Sequence, residues 1–386
     1  MPNLSPVGLL TIHYAFYQLS SAMAGGFAGA YLLQLGFGMP VALVAFAGLL
    51  AMRFGMRTLA LGVVRRLGYR RTMMLGAVLG GLQFFPLMHA DSTLWLLVWL
   101  VTISLAEGLY WPVYHSAVAV TGGASRGREL GTRTAVGALV GVVGPLAGGI
   151  LLSQFGPAVD FGIAAIFSVL SILPLVLLRE FQAGPIPSLL GSMRGVDRTA
   201  VMAFAADGWM ASGLALAWPM ALFLALGSHY EAFGVANAAA GLVGAAAGLV
   251  CGRAVDRGER DRYLILVCVA LGLGFALRAG AGWSPLAATI ANITGAAVMG
   301  LYAPVLMSVI YDRAKQSGEA YRFHVAAEAG WDVGAASGCL VAAVAVWATA
   351  SPSLAVVPAA LGVLGIYWCV RTKPASAIPK HVVPAA

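Results

Sequence analysis

The chain has 386 residues, of which 60% are hydrophobic and only 10% charged, with a formal net charge of +8 and a mean hydropathy of +0.87. A soluble core does not need so much apolar surface, so this composition indicates a protein embedded in a lipid bilayer. No loop is long enough to form a separate catalytic domain, and no Gly-rich Lys-Ser/Thr phosphate loop is present, which argues against an enzyme and against direct use of ATP.

Twelve apolar segments recur along the chain, each near or above the roughly 20 residues that a helix needs to cross a bilayer. Numbered 1 to 12 in chain order, they cover residues 8–35, 40–62, 72–90, 93–118, 131–153, 157–178, 199–226, 232–252, 263–282, 284–310, 323–348 and 353–371. The sequence therefore predicts an all-α membrane protein with twelve transmembrane helices.

The basic residues predict the orientation, because Lys and Arg in short loops are retained on the cytoplasmic side. With both termini cytoplasmic, 22 of the 23 Lys and Arg residues fall on cytoplasmic loops or helix ends, and Arg278 is the exception. We interpret the net charge as a topology signal and expect no nucleic-acid partner, for which basic residues would be interleaved with aromatic ones. The expected location is a bacterial-type inner membrane.

Segment 1 carries two polar pairs at positions i and i+4, His13 with Tyr17 and Tyr14 with Gln18. Residues four apart lie on one face of a helix, so we expect one of these pairs to face an internal cavity. The turn after segment 2 is strongly basic and reads Arg-Arg-Leu-Gly-Tyr-Arg-Arg at residues 65–71.

Segment 4 places an acid, an indole, a phenol and an imidazole on one helical face, because Glu107, Trp111, Tyr114 and His115 stand at i, i+4, i+7 and i+8. Such a face combines groups that bind protons with a broad aromatic wall. It suits a semi-polar organic solute, which a carboxylate and cation–π contacts could hold if the solute is cationic.

Segment 5 contains small residues and a proline: Gly131, Gly144, Pro145, Gly148 and Gly149. Glycines let helix backbones approach closely, and proline weakens the helix so that it can flex. After segment 6, the longest internal loop has the composition of a linker. We therefore expect six-helix bundles at residues 1–178 and 199–373, a cytoplasmic linker at 179–198 and a cytoplasmic tail at 374–386.

Segment 7 contains Asp207, and segment 11 repeats the spacing of segment 4 with His324, Glu328, Trp331 and Asp332. An ionisable side chain at mid-membrane is costly unless it is paired, protonated or hydrated, so such groups mark functional sites. The four predicted intramembrane carboxylates are Glu107, Asp207, Glu328 and Asp332. Packing through interhelical hydrogen bonds is the alternative role for the two glutamates.

Segment 10 reveals an internal repeat, since Gly108-Leu109-Tyr110-Trp111-Pro112-Val113 returns 192 residues later as Gly300-Leu301-Tyr302-Ala303-Pro304-Val305. A membrane protein built from two similar halves places its binding site between them and works by rocking one half against the other. At the positions equivalent to Glu107, Tyr114 and His115, segment 10 has apolar residues, so the fold does not require polar side chains there. For Asn292 and Tyr302 on segment 10, cavity lining and packing are both open.

Six segments, a linker and six more segments resemble the major facilitator superfamily, and two loops carry that family's motif, Gly-x-x-x-Asp-Arg-x-Gly-x-Arg/Lys. The first copy keeps Arg66, Gly68 and Arg70 but has arginine at the acidic position, and the second keeps Asp256 and Arg257 but is one residue short. The family uses this loop as a cytoplasmic latch, so the resemblance implies a latch role for these residues.

The glycines and proline of segment 5 resemble a pattern of proton-coupled drug exporters, Gly-x8-Gly-x3-Gly-Pro-x-x-Gly-Gly, with the middle glycine shifted by one residue to Gly141. Importers also carry its Gly-Pro-x-x-Gly-Gly part. A second exporter pattern, Arg-x-x-Gln-Gly, is altered to Ser104-Leu105-Ala106-Glu107-Gly108, so the exporters' usual proton relay in helix 4 cannot be transferred.

These observations predict a secondary transporter that works by alternating access, with proton-coupled export preferred over uptake. Protons would be carried by Glu107, Glu328, Asp332 and Asp207, and substrate would be bound by His13, Tyr17, Trp111, Tyr114, His115, His324, Trp331, Tyr302 and Asn292. We expect a monomer whose partners are the small-molecule substrate, protons and lipid, with no cofactor or resident metal. The alternatives are an uptake symporter for a metabolite or siderophore, a divalent-metal transporter and a non-transporting receptor on the same fold.

Overall fold

The computed structural model describes residues 5–121, 126–188, 191–192, 194, 196–256, 260–282 and 284–371, and it describes no side chains for 126–135, 251–256 and 260–263. Within these ranges every regular element is a helix, which confirms the predicted all-α fold. The predicted tail at 374–386 and the predicted latch residue Arg257 lie outside the described residues.

The first half of the described chain contains six helices, which we label α1 to α6. They are α1 (Pro6–Met23, continued beyond the 3-10 turn Gly25–Phe27 by Ala28–Gln34), α2 (Met39–Gly55 with residues 57–64), α3 (residues 72–82 with Phe84–Met88), α4 (Thr93–Thr121), α5 (Arg126–Phe155) and α6 (Pro157–Leu170 with Ile172–Leu177). Residues 57–82 are one helical stretch interrupted at Gly68, whose φ of 80° reverses the chain between α2 and α3.

The second half of the described chain contains six more helices. They are α7 (Arg198–Ala211, the π-helical turn Ser212–Ala217 and Trp218–Ala225), α8 (Tyr230–Asp256), α9 (Arg260–Ala279), α10 (Pro285–Gln316), α11 (Ala320–Thr349) and α12 (Leu361–Arg371, preceded by the 3-10 turns Pro352–Val356 and Pro358–Ala360). Each of the twelve predicted segments thus corresponds to a helix.

Eight spans in the described part of the chain are long and apolar enough to cross a membrane. Met39–Gly55 and Arg57–Met88, which meet at a bend of 47°, make a ninth if they are counted as one span. The remaining helices are short or broken: α1 is interrupted at Gly25–Phe27, and the apolar part of α9, Leu264–Ala279, is shorter than a typical span. Of the twelve helices in the described residues, eight therefore meet the criteria for a membrane span by themselves, and α2 and α3 together add a ninth span when they are counted as one.

Side chains fix the first turn of several helices. The Ser5 hydroxyl accepts a hydrogen bond from the Gly8 amide at 3.1 Å, and the Asp197 carboxylate accepts one from the Ala200 amide at 3.2 Å. Ser284 does the same for Ala287, directly before a proline in the first turn of α10. Oxygens at this position satisfy backbone amides that have no partner within the helix, so these residues define where α1, α7 and α10 begin.

The internal repeat is visible in helix packing. Gly108 on α4 lies against Arg53 on α2, while Gly300 on α10 lies against Gly244 and Gly248 on α8. The repeat therefore relates α2 to α8 and α4 to α10, and by the same shift α5 to α11. It follows that the two most extensive contacts between halves in the described residues, α2 with α11 and α8 with α5, are equivalent under the repeat.

The two halves contact each other at both ends of the molecule. At the end that carries residues 179–197, which we call the linker end, the Tyr69 ring packs against Tyr321 of the other half with centroids 5.1 Å apart. The Tyr69 hydroxyl also donates to the Gly184 carbonyl of the linker at 2.6 Å. At the opposite end, which we call the far end, the Gln34 amide donates to the Ser228 carbonyl at 2.7 Å. Because α6 ends at Leu177 and α7 begins at Arg198, the connection between halves lies at the linker end. The exact domain boundaries stay a prediction.

Candidate functional site between the two halves

A cavity of about 390 Å³ lies between the two halves of the molecule. Its walls come from α1, α2, α3, α4 and α6 on one side and from α7, α10 and α11 on the other. Seven residues singled out from the sequence line it: Tyr17, Glu107, Trp111, His115, Asp207, Glu328 and Trp331. The two predicted polar faces on α4 and α11 therefore meet at one cavity.

Arg53 on α2 joins the two halves through buried ion pairs. It is only 4% exposed, and its Nη1 donates to Glu107 Oε2 at 2.5 Å while its Nε donates to Asp332 Oδ1 at 2.6 Å. One turn later, Arg57 also pairs with Asp332 and donates to the Val325 carbonyl at 3.3 Å. Asp332 on α11 is thus bound by two arginines of α2, which satisfies charges that would be very costly if buried alone.

These two arginines correct the sequence-based interpretation of the basic residues. Arg53 and Arg57 belong to the charges assigned to topology, but both are buried in the interface between α2 and α11. The signal is present in the sequence, because both lie inside predicted segment 2 and stand four residues apart. Buried charges mark functional sites whether they are carboxylates or arginines, and only the carboxylates were predicted.

Glu328 lies beside a group of aromatic and imidazole side chains. His115 Nε2 is 3.6 Å from Glu328 Oε1, and His115 Nδ1 is 2.9 Å from the Tyr311 hydroxyl. His324 stacks on His115 with ring centroids 5.4 Å apart, and neither of its buried ring nitrogens has a hydrogen-bond partner among the described residues. His115 is therefore the neighbour with which Glu328 can share a proton.

Asp207 on α7 is held by two neutral donors. The Tyr302 hydroxyl donates to Oδ1 at 2.6 Å and the Trp331 indole donates to Oδ2 at 3.0 Å. The Arg53 guanidinium lies over the Trp331 ring, 4.9 Å from its centroid. Tyr302 therefore positions Asp207 and is absent from the cavity wall itself.

Three other residues predicted to bind substrate have partners away from the cavity. His13 is fully buried, with Nδ1 2.7 Å from the Ser171 carbonyl and Nε2 3.0 Å from the Tyr110 hydroxyl. Tyr114 is also buried, and it stacks on Tyr14 with centroids 5.1 Å apart. Asn292 accepts a hydrogen bond from the Trp218 indole at 2.9 Å and donates to residues of α8. Of the two polar pairs on α1, only Tyr17 reaches the cavity wall.

A further buried carboxylate, Asp160, is not among those predicted from the sequence. It lies in the first turn of α6 near the far end, fully buried, and neither oxygen has a hydrogen-bond partner among the described residues. Its position inside predicted segment 6 could have revealed it. Because it is absent from the cavity wall, Asp160 is a useful control for the carboxylates that line it.

The first predicted latch loop binds the end of α6. A side-chain carbon at Gly68 would come within 2.9 Å of the Glu180 carboxylate, and the Arg70 amide donates to that same carboxylate at 3.1 Å. The Arg70 guanidinium donates to the Leu178 carbonyl at 2.8 Å, whereas Arg66 is exposed. Burial, and to a lesser degree the Glu180 charge, raise the pKa of Tyr69 in this loop to about 12, so its hydroxyl remains a donor. In the second loop, the side chain of Asp256 and all of Arg257 lie outside the described residues.

The glycine pattern of α5 lies between two helices. Carbons added at Gly144 and Gly148 would collide with Ala22 and Met23 of α1, and one at Gly149 would come within 2.7 Å of the Tyr230 carbonyl of α8. Pro145 lies inside the helix among these glycines. The absence of side chains lets α5 approach α1 in its own half and α8 in the other half.

A metal centre has no support in the described part of the chain. There, no three side chains of His, Cys, Asp or Glu are placed to hold a metal ion. The stacked rings of His115 and His324 also lie nearly parallel, at 27°, rather than converging on a common point.

The first half of the chain matches a known protein family. The family described as Major Facilitator Superfamily matches residues 10–194, which cover nearly all of the first half and most of the linker. The first half of the chain therefore matches the major facilitator superfamily. This match confirms the resemblance drawn from the loop motif, and it indicates a multi-pass membrane transporter rather than an enzyme.

Solved structures of major facilitator proteins extend the likeness to the entire chain. The human organic anion transporter MFSD10 (TETRAN) superimposes with a TM-score of 0.68 at 15% identity, covering 96% of this chain and 100% of that one. The fucose:proton symporter FucP of E. coli gives 0.66 at 15% identity, covering 95% and 98%. The nucleoside transporter NupG gives 0.66 at 12% identity, covering 94% and 98%. At these identities the likeness establishes a shared fold alone, and no curated protein matches the sequence significantly.

Proposed function

We propose that this chain exports a small organic solute across the inner membrane in exchange for protons, by alternating access. The observation that carries this proposal is the position of Glu107. It lines the cavity between the halves and shares its arginine with Asp332 of the other half. A proton taken up in the cavity therefore acts on the contact that joins the halves.

The charges around the cavity explain why it would exchange protons. Glu107, Asp207, Glu328 and Asp332 carry four negative charges when ionised, whereas Arg53 and Arg57 supply two positive charges. If the histidines are neutral, the site without bound substrate or added protons carries two more negative charges than positive ones. Such a site is costly in a membrane until protons or a ligand neutralise its charge. The halves therefore rock more readily when the cavity holds protons or a ligand than when it is empty.

Arg53 transmits the change in charge. When Glu107 is ionised, Arg53 is divided between Glu107 of its own half and Asp332 of the other half. When Glu107 is protonated, the charge of Arg53 is directed to Asp332 alone, which alters the strength of the α2–α11 contact. Rocking of one half against the other then exposes the cavity alternately at the linker end and the far end.

Glu328 is the second proton carrier in this proposal, because His115 lies within 3.6 Å of it on the opposite half. The pair can hold one proton on either side chain, and loss of that proton leaves Glu328 charged. Asp332 and Asp207, which the sequence also suggested as carriers, have their oxygens engaged by two arginines and by two neutral donors respectively. We therefore place Glu107 and Glu328 first.

Direction and orientation rest on two further features. The exporter-like glycines of α5 lie between α1 and α8, where a flexible helix would accompany the rocking of the halves. The far-end turns contain no Lys or Arg, whereas the loops of the linker end are rich in them. Positive loops are retained in the cytoplasm, so we assign the linker end and both termini to the cytoplasmic side.

The proposal is tested with purified protein in liposomes that contain a pH-sensitive dye. A pH gradient should drive flux of at least one member of a panel of organic cations, anions, sugars and peptides, with proton movement in the opposite direction. Glu107→Gln and Glu328→Gln should abolish the coupled proton movement, and Asp160→Asn should leave it intact. Coupling that survives in both glutamine variants would contradict the carrier assignment.

The direction of transport is tested in right-side-out and inverted vesicles. Export predicts that an outward-directed solute flux follows an inward proton gradient. Solute and protons moving together would identify an uptake symporter instead, and ligand binding without any flux would identify a receptor.

A further inference from the structure

The four carboxylates around the cavity differ in the charge of their partners. Asp332 is bound by two arginines, Glu107 by one arginine, and Glu328 lies beside a histidine that can be protonated. Asp207 is bound only by the neutral Tyr302 hydroxyl and Trp331 indole, with no Lys or Arg pairing to it among the described residues. Of the four, Asp207 is therefore the one that has no cationic partner within the site.

Both oxygens of the Asp207 carboxyl group accept a hydrogen bond. Tyr302 donates to one oxygen and Trp331 donates to the other, so both oxygens act as acceptors. A carboxylic acid would instead need an acceptor for its own proton. The two donors also fix the orientation of the group, since Tyr302 and Trp331 come from the two neighbouring helices α10 and α11.

A cationic side chain lies against an aromatic ring beside Asp207. The indole of Trp331, which donates to Asp207, has the Arg53 guanidinium 4.9 Å from its ring centroid. Trp111 and Tyr17 contribute further aromatic surface to the same cavity, with ring centroids 6.1 Å apart. Aromatic faces attract cations through their quadrupole, and the attraction increases where water is excluded.

We infer that the substrate is an organic monocation with an aromatic or apolar body, and that Asp207 binds its charge. The inference rests on the proposed transport function and gives the carboxylates separate roles, in which Glu107 and Glu328 exchange protons while Asp207 holds the ligand. The cavity of about 390 Å³ lies within the usual size of small-molecule sites, so one such ion fits between the aromatic walls.

The test measures equilibrium binding rather than flux, so that it is separate from proton coupling. The probes are tetraphenylphosphonium and benzyltrimethylammonium, which carry a permanent charge, and neopentylbenzene, the neutral carbon isostere of the second. Binding to the detergent-purified full chain is followed by equilibrium dialysis. We expect the cations to bind and the neutral isostere to bind at least about tenfold more weakly, because it cannot pair with the carboxylate.

Variants then locate the charge partner. Asp207→Asn keeps the shape of the side chain, and it should weaken cation binding about tenfold or more while leaving the weak binding of neopentylbenzene unchanged. Tyr302→Phe keeps the charge and should have a smaller effect. Asp160→Asn, which changes a carboxylate away from the cavity wall, should retain cation binding, and melting temperatures of all variants show whether each one is folded.

Several outcomes would overturn the inference. Equal binding of the cation and its neutral isostere would show that charge is not recognised. Unchanged cation binding in folded Asp207→Asn would show that another group holds the charge. Proton-coupled flux of an anionic or neutral solute, with no binding of either cation, would remove this inference and leave the proposed function intact.

Discussion

The two most extensive contacts between halves, α2 with α11 and α5 with α8, are equivalent under the internal repeat but differ in chemistry. Between α2 and α11, buried arginines pair with carboxylates: Arg53 and Arg57 bind Asp332. Between α5 and α8, glycines bring the backbones together, with Gly149 against Gly234 and Gly141 against Gly241. We call these the ionic contact and the glycine contact. A duplicated scaffold has thus acquired one charged and one apolar contact at equivalent positions.

The difference shows which contact can respond to protons. An ion pair in a medium of low dielectric changes its energy strongly when one partner loses its charge, whereas backbone packing between glycines does not titrate. Glycine surfaces without side chains can instead slide or roll over each other at little cost. The ionic contact is therefore suited to sense the state of the cavity, and the glycine contact to act as the pivot.

The largest effect is expected from breaking the ionic contact. Asp332→Asn leaves the buried Arg57 without an ionised partner and Arg53 with Glu107 alone, which should cost about 3–5 kcal/mol of unfolding free energy. Chemical unfolding in detergent measures this loss. Adding Arg57→Gln to the variant removes one unpaired charge and should restore part of the stability. A loss below about 1 kcal/mol would show that the ion pairs are not essential to the contact.

A smaller effect is expected from filling the glycine contact. A side-chain carbon at Gly149 would lie 2.7 Å from the Tyr230 carbonyl and 3.0 Å from Gly234 Cα, so Gly149→Ala should push α5 and α8 apart. Overpacking of this kind costs about 1–3 kcal/mol.

The matched control for this change lies on the same helix. Gly137 has open space around the added carbon, so Gly137→Ala should be neutral or should stabilise by up to about 1 kcal/mol through helix propensity. Thermal unfolding of the two variants compares them directly, and equal melting temperatures would show that the close approach at Gly149 has no energetic role.

The smallest effect is expected at the linker end, beside the ionic contact. Tyr69→Phe removes the hydrogen bond to the Gly184 carbonyl while keeping the ring that packs against Tyr321, with centroids 5.1 Å apart. A single neutral hydrogen bond contributes about 0.5–1.5 kcal/mol. The shift in melting temperature should therefore be smaller than that of Asp332→Asn. A loss as large as for that variant would show that the linker, not the ion pairs, holds the halves together.

The sequence predicts much of the fold and part of the site. Apolar segments identify all twelve helices, and spacing predicts the helix faces that carry Glu107, Trp111 and Glu328, which line one cavity in the structure. Periodicity specifies which residues share a helix face. It does not specify which helix of the other half lies opposite, so the pairing of Arg53 with Asp332 could not be found without the structure.

Buried polar residues show the same limit. His13 and Asn292 have the polarity expected of a substrate site, yet their partners are Ser171 and Trp218 on neighbouring helices. In a membrane, a polar side chain needs a partner wherever it lies, so polarity alone does not separate cavity from packing. Asp207 lines the cavity because α7 faces the other half. Sequence spacing does not reveal which helices face the other half.

The central claim is that protonation of the cavity carboxylates is transmitted to the α2–α11 contact. Spin labels at two exposed linker-end positions, Arg66 and Gln316, would measure the distance between halves by double electron–electron resonance as pH is varied. We predict that the distance distribution of the wild type changes between mildly acidic and mildly alkaline pH. The combined Glu107→Gln and Glu328→Gln variant should keep the acidic distribution at every pH. A variant that responds to pH as the wild type does would contradict the account.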